Sequence, residues 1–417
     1  MNNNNYGNGN SQTGESQVPP QGYNPYGQQP NGGWQTPPQG YNPYGQQPNG
    51  EWQTPPQGYN PYGQQPNSGW QTPPQGYYPN ANPYANWYNM YVEQCMLEER
   101  KKQEKESIKA IGKKCGLAAL LYVALSYGLV YGLIIIMSLV PVLRLIFKNT
   151  TAYLTFDIVT SMISLGLPFV IAFVLMKKKK IITKLPYQKP QDVKSSAFLT
   201  MLAIPTMVFS SIIINYISFF VQILMGVTFS DNMPDNKVVT IPSMIMTFIS
   251  IAVVPAIIEE FAIRGTVMQP LRRFGDKFAI IVSALFFSLL HGNMVQIPYT
   301  FVGGLILGFL MVKTKSMWPP MILHFINNGY SVVIMVVGDI FGEKWGNISA
   351  YLMWAVFAII GVIGLIGYLK TRKNDEQLSE GESILKISDK ITAFISSWQM
   401  VAMILVFVFM ASGSINR

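Results

Sequence analysis

The chain has 417 residues, of which 49% are hydrophobic and only 12% are charged, and its formal net charge is +9. So few charges are unusual for a soluble domain and typical of a protein that crosses a membrane several times. The positive charge does not indicate nucleic-acid binding, because most Lys and Arg residues lie in short loops between apolar runs. Two cysteines, Cys95 and Cys115, are too few for a disulfide framework.

Residues 1–90 form a low-complexity tail. An eighteen-residue repeat begins at Pro19, Pro37 and Pro55, and a partial copy begins at Pro73. The repeat is rich in Pro and Gly and poor in aliphatic residues, which predicts a disordered segment. Its spaced Tyr and Trp residues leave two interpretations open, a segment that binds a partner or itself and a solvated spacer. Because the tail is polar and nearly uncharged, no signal peptide is expected before the first span.

The remaining chain predicts an all-α fold, a polytopic membrane helix bundle with eight or nine transmembrane helices. Residues 91–116 carry charges of both signs and predict a juxtamembrane helix on the cytoplasmic surface. The bundle is expected over 117–370, followed by a polar cytoplasmic segment at 371–392 and a possible extra span at 393–412. The other runs of spanning length lie near 117–140, 154–176, 197–225, 242–271, 278–291, 297–312, 318–338 and 350–369.

Basic residues predict the orientation of the bundle. If the amino terminus is cytoplasmic, five inside segments hold 24 of the 30 Lys and Arg residues. This bias is the positive-inside pattern of membrane proteins. The five segments are 98–116, 177–195, 272–277, 313–315 and 370–390.

An acidic doublet, Glu259 and Glu260, lies inside an otherwise apolar run, with Arg264 four residues after its second member. Ionisable residues at membrane depth cost roughly 2.5–3.5 kcal/mol each on insertion scales and usually mark a functional site. On a helix Glu260 and Arg264 are neighbours that neutralise each other, whereas Glu259 projects about 100° away and is expected to face a cavity. The run 242–271 is too long for one straight span, so Pro255 is expected to break the helix before the doublet.

Two further motifs contain the only histidines of the chain. They are Phe287-x-x-x-His291 and His324-x-x-x-Asn328, and residues four apart share a helix face. Each motif alone also fits a structural role, such as a histidine that only hydrogen-bonds a neighbour or a phenylalanine in the core. Apart from Asp157, every ionisable residue well inside the apolar runs belongs to the three motifs, which favours one joint site.

Spacing predicts the depth of these residues. Glu259 and His291 each lie sixteen residues from Gly275, so an antiparallel helical hairpin places them at one depth. His324 follows the start of its helix, near Trp318, by little more than a turn and should lie nearer the cytoplasmic face. Either the site opens inward as a funnel, or one of the helices begins late.

The motifs predict hydrolysis of a peptide bond. Glu259 with His291 is suited to hold and deprotonate a water, and His324 with Asn328 to stabilise the oxyanion that forms. A second hypothesis has Glu259, His291 and His324 as ligands of a divalent metal such as zinc. The metal-free version, with no cofactor, is favoured because no His-Glu-x-x-His pattern occurs and Asn is a poor zinc ligand.

These three motifs resemble the CPBP family, which includes the type II CAAX prenyl endopeptidases and bacterial Abi-type proteins. The similarity covers about residues 240–335. It implies an α-helical intramembrane endopeptidase, with Glu259, Glu260, Arg264, His291, His324 and Asn328 as its catalytic residues. It also implies a bacterial plasma-membrane location, although the repeat tail and the extra carboxy-terminal segment give no reason to expect prenylated substrates.

The leading hypothesis is therefore an intramembrane endopeptidase for peptide or membrane-protein substrates, with the lipid bilayer as its surroundings and no nucleic-acid partner. Two alternatives stay open. A proton-coupled transporter would use the same acid and histidines as a relay, although no inverted repeat of spans is visible in the sequence. A catalytically silent scaffold would use the repeat tail to recruit partners.

Overall fold

The structure is a computed structural model that describes residues 83–182, 184–230, 238–372 and 377–416. Almost all of the predicted tail, residues 1–90, lies outside these ranges, and its disorder stays a prediction. In chain order the helices are α1 (Pro83–Leu139), α2 (Val142–Phe147), α3 (Thr150–Ser161), α4 (Leu167–Lys178), α5 (Val193–Met225), α6 (Ile241–Phe248), α7 (Val254–Glu260), α8 (Gln269–Leu271), α9 (Asp276–Leu290), α10 (Gln296–Thr314), α11 (Trp318–Phe341), α12 (Glu343–Thr371), α13 (Ile387–Ile395) and α14 (Trp398–Ser412). Three π-helical segments, Met162–Gly166, Ile249–Val253 and Phe261–Met268, and one 3₁₀ turn, Arg272–Phe274, join helices, and two strands, β1 (Thr228–Phe229) and β2 (Ile415–Asn416), pair antiparallel.

The protein is an all-α integral membrane protein. Within the described residues, seven helical stretches are long and apolar enough to cross a membrane, or eight if α13 and α14, bent by 85°, count as one span. The prediction of eight or nine also included α9, which has only 15 residues. Such a helix is about 22 Å long, less than a hydrocarbon core of about 30 Å. Helix α9 packs closely against α10, which follows it.

The predicted juxtamembrane helix and the first span are one continuous helix, α1, of 57 residues. At 1.5 Å per residue α1 is about 85 Å long. Ile108 and Cys115, in its charged half, are fully buried because that half packs on α13 and α14. The helix therefore continues without a boundary at residue 116, since the carboxy-terminal helices supply an apolar surface for the turns that precede it.

Side chains cap several helices at their amino termini. Asn149 accepts hydrogen bonds from the backbone of Thr151 and Ala152 at the start of α3. Asp192 accepts from Ser195 at the start of α5. These caps satisfy backbone N–H groups that have no partner within the helix.

The helices pack around two apolar clusters. The larger cluster joins α1, α4, α9, α13 and α14, and the smaller one joins α5, α10, α11 and α12. Helices α5 and α12 approach closely at Gly364, where a Cβ atom would fall 2.6 Å from the backbone nitrogen of Leu202. Small residues permit such contacts between membrane helices. Helices α9 and α11 belong to different clusters, so residues on both are brought together where the clusters meet.

The predicted polar segment 371–392 is packed against the bundle. The backbone N–H of Asp276 donates to the carbonyl of Ser379 at 2.8 Å, and the Ser379 N–H returns a bond to the Asp276 carboxylate at 3.1 Å. Lys390 Nζ donates to the carbonyl of Phe274 at 2.6 Å. The segment thus covers the turn between α8 and α9.

Candidate active site

The helix that carries the acidic doublet runs on through Pro255. Residues 241–274 form one candidate span in which π-helical segments lie on both sides of α7. The expectation of a break at Pro255 was wrong. The helix widens into a π-helical turn before α7, where the Val254 N–H donates to the carbonyl of Ile249. Pro255 then falls in the first turn of α7. Such π-bulges often occur at functional sites, since they redirect the side chains that follow.

Glu260 and Arg264 form a fully buried ion pair, as their spacing predicts. Glu260 Oε1 lies 3.1 Å from Arg264 Nη1, and both side chains are 0% exposed. Arg264 Nη2 also donates to the carbonyl of Gly304 at 3.2 Å. The guanidinium carbon lies 4.8 Å from the centre of the Phe287 ring, a distance that suits a cation–π contact.

Gly304 allows the carbonyl to reach Arg264. A Cβ atom at this position would fall 3.0 Å from the Cα and Cβ atoms of Ala284 on α9. A Cβ atom at Gly308 would fall 3.4 Å from Ile280 on the same helix. The two glycines, four residues apart on one face of α10, therefore permit close packing against α9.

His324 lies between the two glutamates. Its Nδ1 atom is 2.9 Å from Glu260 Oε1 and its Nε2 atom is 3.6 Å from Glu259 Oε2. Because Glu260 is paired with Arg264, its carboxylate accepts hydrogen bonds only, and Nδ1 must carry a hydrogen. Nε2 faces the Glu259 carboxylate at a separation longer than a hydrogen bond.

His291 has the tautomer that a base requires. Its Nδ1 atom lies 3.0 Å from the carbonyl oxygen of Phe287. Since a carbonyl only accepts, Nδ1 is the donor, and Nε2 of the neutral ring keeps a lone pair. The Phe287 ring meets both imidazoles edge to face, with centroids 4.9 Å from His291 and 6.0 Å from His324. Phe287 is buried, which agrees with its predicted place in the core.

Asn328 bonds the helix that carries the doublet. Its Nδ2 atom donates to the carbonyl of Ile251 at 2.9 Å. In a regular α-helix the N–H of residue 255 would donate to the Ile251 carbonyl, but Pro255 has no N–H. The Asn328 side chain, from a neighbouring helix, supplies a donor in its place. The Asn327 amide donates to Asn328 Oδ1 at 3.2 Å. The second N–H of Asn328 Nδ2 stays available to a group in the cavity that Asn328 lines.

Glu259 faces a cavity, whereas Glu260 does not. The Glu259 side chain is 24% exposed and the Glu260 side chain 0%. Glu259, His291, His324 and Asn328 line one cavity of about 620 Å³, and Glu259 and His291 also line a smaller one of about 250 Å³. Glu259 and His291, which are equally spaced from Gly275, thus line the same two cavities.

His324 reaches this site because its helix begins inside the protein. The backbone N–H of Met317 donates to the carbonyl of Pro186 at 2.8 Å, and Ser316 Oγ donates to the carbonyl of Gln188 at 2.7 Å. Met317 and Ser316 are fully buried under this segment. The two alternatives for His324, a site that opens inward as a funnel and a helix that begins late, both stay predictions.

No sequence motif predicts a partner for Asp157, and the structure supplies one. Asp157 lines the larger cavity together with Ser250, whose hydroxyl donates to Asp157 Oδ2 at 2.6 Å. The two residues are 93 positions apart. An aspartate in an apolar run was the visible signal, but no spacing rule links it to the motifs.

The metal hypothesis finds no support in this geometry. Among the described residues, no group of three or more His, Cys, Asp or Glu side chains is arranged to hold a metal ion. The predicted ligands Glu259, His291 and His324 are among these described residues, and the choice between the metal and the metal-free versions stays a prediction.

One comparison with known proteins matches the region of the chain that contains the motifs. A family model described as Rce1-like, type II CAAX prenyl endopeptidase, matches residues 241–330. The membrane-embedded CAAX protease MroQ of Staphylococcus aureus (strain USA300) is 28% identical over 110 residues, which are 24% of this chain and 44% of MroQ. The chain thus matches less than half the length of this curated relative. No solved structure matches the chain.

Proposed function

We propose that this chain, which belongs to the CPBP family through residues 241–330, is an intramembrane endopeptidase that hydrolyses peptide bonds of membrane-associated peptides or proteins. One observation carries the proposal. Glu259, 3.6 Å from His324, lies with His291 on the wall of a cavity of about 620 Å³. A carboxylate and an imidazole lone pair are thus available to one molecule in that cavity.

In the proposed reaction, a water binds between the Glu259 carboxylate and His291 Nε2. One of these groups removes a proton as the water oxygen attacks the carbonyl carbon of the peptide bond. The tetrahedral intermediate carries its negative charge on the former carbonyl oxygen. When the C–N bond breaks, the proton taken from water passes to the leaving nitrogen, so that one water is consumed and two peptides leave.

His324 and Asn328 supply the oxyanion donors in this scheme. The Nε2 edge of His324, which faces the same part of the cavity as Glu259, donates to the oxyanion there, and the second N–H of Asn328 joins it. Glu260 and Arg264 position His324, because the 2.9 Å contact from Nδ1 to Glu260 fixes the ring. Their role is therefore indirect, and they touch no reacting atom.

The substrate class rests on the surroundings of the site. A protein of several apolar spans meets its substrates in or at the bilayer, which we propose is the bacterial plasma membrane. MroQ is named a CAAX protease, and this supports proteolysis here without extending prenylated substrates to this chain. The repeat tail, residues 1–90, is proposed to face the cytoplasm, and its partner is not specified by its composition.

A quenched-fluorescent peptide library with purified protein in detergent tests the proposal. Cleavage is expected for the natural chain and is expected to be lost in both Glu259→Ala and His291→Ala. Full cleavage by Glu259→Ala would contradict the proposal. Cleavage that survives a chelator supports the metal-free version, whereas loss that zinc restores would support the metal hypothesis. Proton flux into liposomes without cleavage would favour the transporter alternative.

A further inference from the structure

Asp157 is an acidic residue of the larger cavity that the proposed reaction does not use. It is half-buried on α3, where Tyr122 and Tyr153 lie near it, and among the described residues its one side-chain hydrogen bond is the 2.6 Å bond from Ser250. No Lys or Arg of the described chain forms an ion pair with Asp157 within 4.0 Å. A carboxylate at membrane depth usually marks the path of an ion or substrate, because its burial is costly.

The cavity between Asp157 and the motifs is electronegative. Among the described residues, its lining includes two carboxylates, Asp157 and Glu259, and no Lys or Arg. The other polar groups of the lining are neutral amides, hydroxyls and the two imidazoles; Asn215, Gln296 and Thr300 are examples. A positive group is therefore the ligand that this cavity is best suited to attract.

We propose that Asp157 binds a cationic group of the substrate, either a Lys or Arg side chain or a free amino terminus, and so selects peptides by charge. This inference rests on the proposed function, since the cationic group must belong to a peptide held at Glu259. Ser250 helps by directing the carboxylate, because its hydroxyl occupies Oδ2 and leaves Oδ1 for the ligand. Nothing covalent occurs at Asp157.

The helix geometry gives the position of the charge. Ser250 precedes Glu259 by nine residues on the same span, which corresponds to about 13 Å along a helix axis. An extended peptide covers this distance in about four residues. The selected charge should therefore lie about three to five residues from the bond that is cleaved.

Matched peptides test this inference. A peptide that the natural chain cleaves is made with Lys or Gln at each position around the cleaved bond, and with a free or acetylated amino end. We expect kcat/KM to be at least about tenfold higher for the charged member at one position three to five residues away. Asp157→Asn should bring that ratio close to one. If only the free amino end matters, the ligand is a terminus and not a side chain.

Asp339→Asn is the control variant, because Asp339 also accepts a hydrogen bond, from the Val238 N–H at 2.9 Å, but does not line the cavity. It should keep the charge preference of the natural chain. Asp157→Lys should instead prefer Glu at the same peptide position. An unchanged Lys-to-Gln ratio in Asp157→Asn, with the variant folded, would overturn the inference.

Binding to Glu259→Gln separates this inference from the proposed function. In this variant we expect at least tenfold tighter binding of the Lys peptide than of the Gln peptide, measured by fluorescence anisotropy, and loss of the difference when Asp157→Asn is added. Charge-dependent binding without cleavage by the natural chain would leave Asp157 as a binding residue and refute the protease. Cleavage by the natural chain without a charge-dependent difference in binding would support the protease and refute the role of Asp157.

Discussion

His324 Nδ1 lies 2.9 Å from the same Glu260 oxygen that pairs with Arg264 Nη1 at 3.1 Å. One carboxylate oxygen thus connects residues of the first and third motifs, on different helices. Glu260 Oε2 is buried without a hydrogen-bond partner, so Oε1 makes the contacts to both Arg264 and His324. The stability of the site therefore depends on this ion pair.

Arg264→Met should destabilise the protein by about 3–5 kcal/mol, because it leaves Glu260 as an unpaired charge in the core. Glu260→Gln with Arg264→Met should be less destabilising than Arg264→Met alone. The measurement is denaturant unfolding in detergent. Lys277→Met is the control, since its ion pair with Glu380 is 54% and 75% exposed and should contribute about 0–1 kcal/mol. Equal losses for the single and double variants would show that the ion pair does not matter.

Asn328→Ala should have two separable effects. One is a loss of about 1 kcal/mol of stability, because the Ile251 carbonyl loses its donor. The other is a loss of catalysis through the oxyanion, about 10²–10³-fold in kcat. Pro255→Ala restores a backbone N–H near that carbonyl. In a Pro255→Ala background the stability loss should shrink and the catalytic loss should persist.

This pair of variants is informative because the two effects have different origins. If catalysis recovers together with stability in the double variant, Asn328 acts only by holding the helix. If neither effect appears in Asn328→Ala, its bond to Ile251 is unimportant in solution. Unfolding curves and kcat for the same peptide supply both comparisons.

The predicted orientation is tested with the native cysteines. Cys95 is exposed on α1 and Cys115 is fully buried, so a polar maleimide should label Cys95 alone. If the amino terminus is cytoplasmic, labelling requires inside-out vesicles and is absent from intact cells. Cys115→Ala should label like the natural chain, and Cys95→Ala should not label. Labelling of Cys95 in intact cells would reverse the topology.

The local part of the site could be predicted from the sequence. Residues four apart on a helix are neighbours, which predicts the Glu260–Arg264 pair. Equal distances from Gly275 predict that Glu259 and His291 lie at one depth. Burial of one glutamate and exposure of the other followed from the 100° rotation between adjacent residues. These relationships depend only on helix geometry and one hairpin.

The remainder depends on packing between distant segments. The position of His324 requires the start of α11 to be buried under the segment that contains Pro186, and no local pattern encodes that contact. The π-helical turns replaced the expected break at Pro255 because the bundle supplies other bonding partners there. The same reason applies to α1, whose continuity depends on α13 and α14.

The central claim is that the Glu259 carboxylate activates a water for peptide hydrolysis, and Glu259→Gln tests it most directly. The amide has nearly the same shape but cannot accept the proton, so the rate of peptide cleavage at neutral pH should fall at least about 10²-fold with unfolding and peptide binding unchanged. In ¹⁸O water the new carboxyl end made by the natural chain should contain the label. A folded Glu259→Gln protein that cleaves the peptide at the natural rate would contradict the claim.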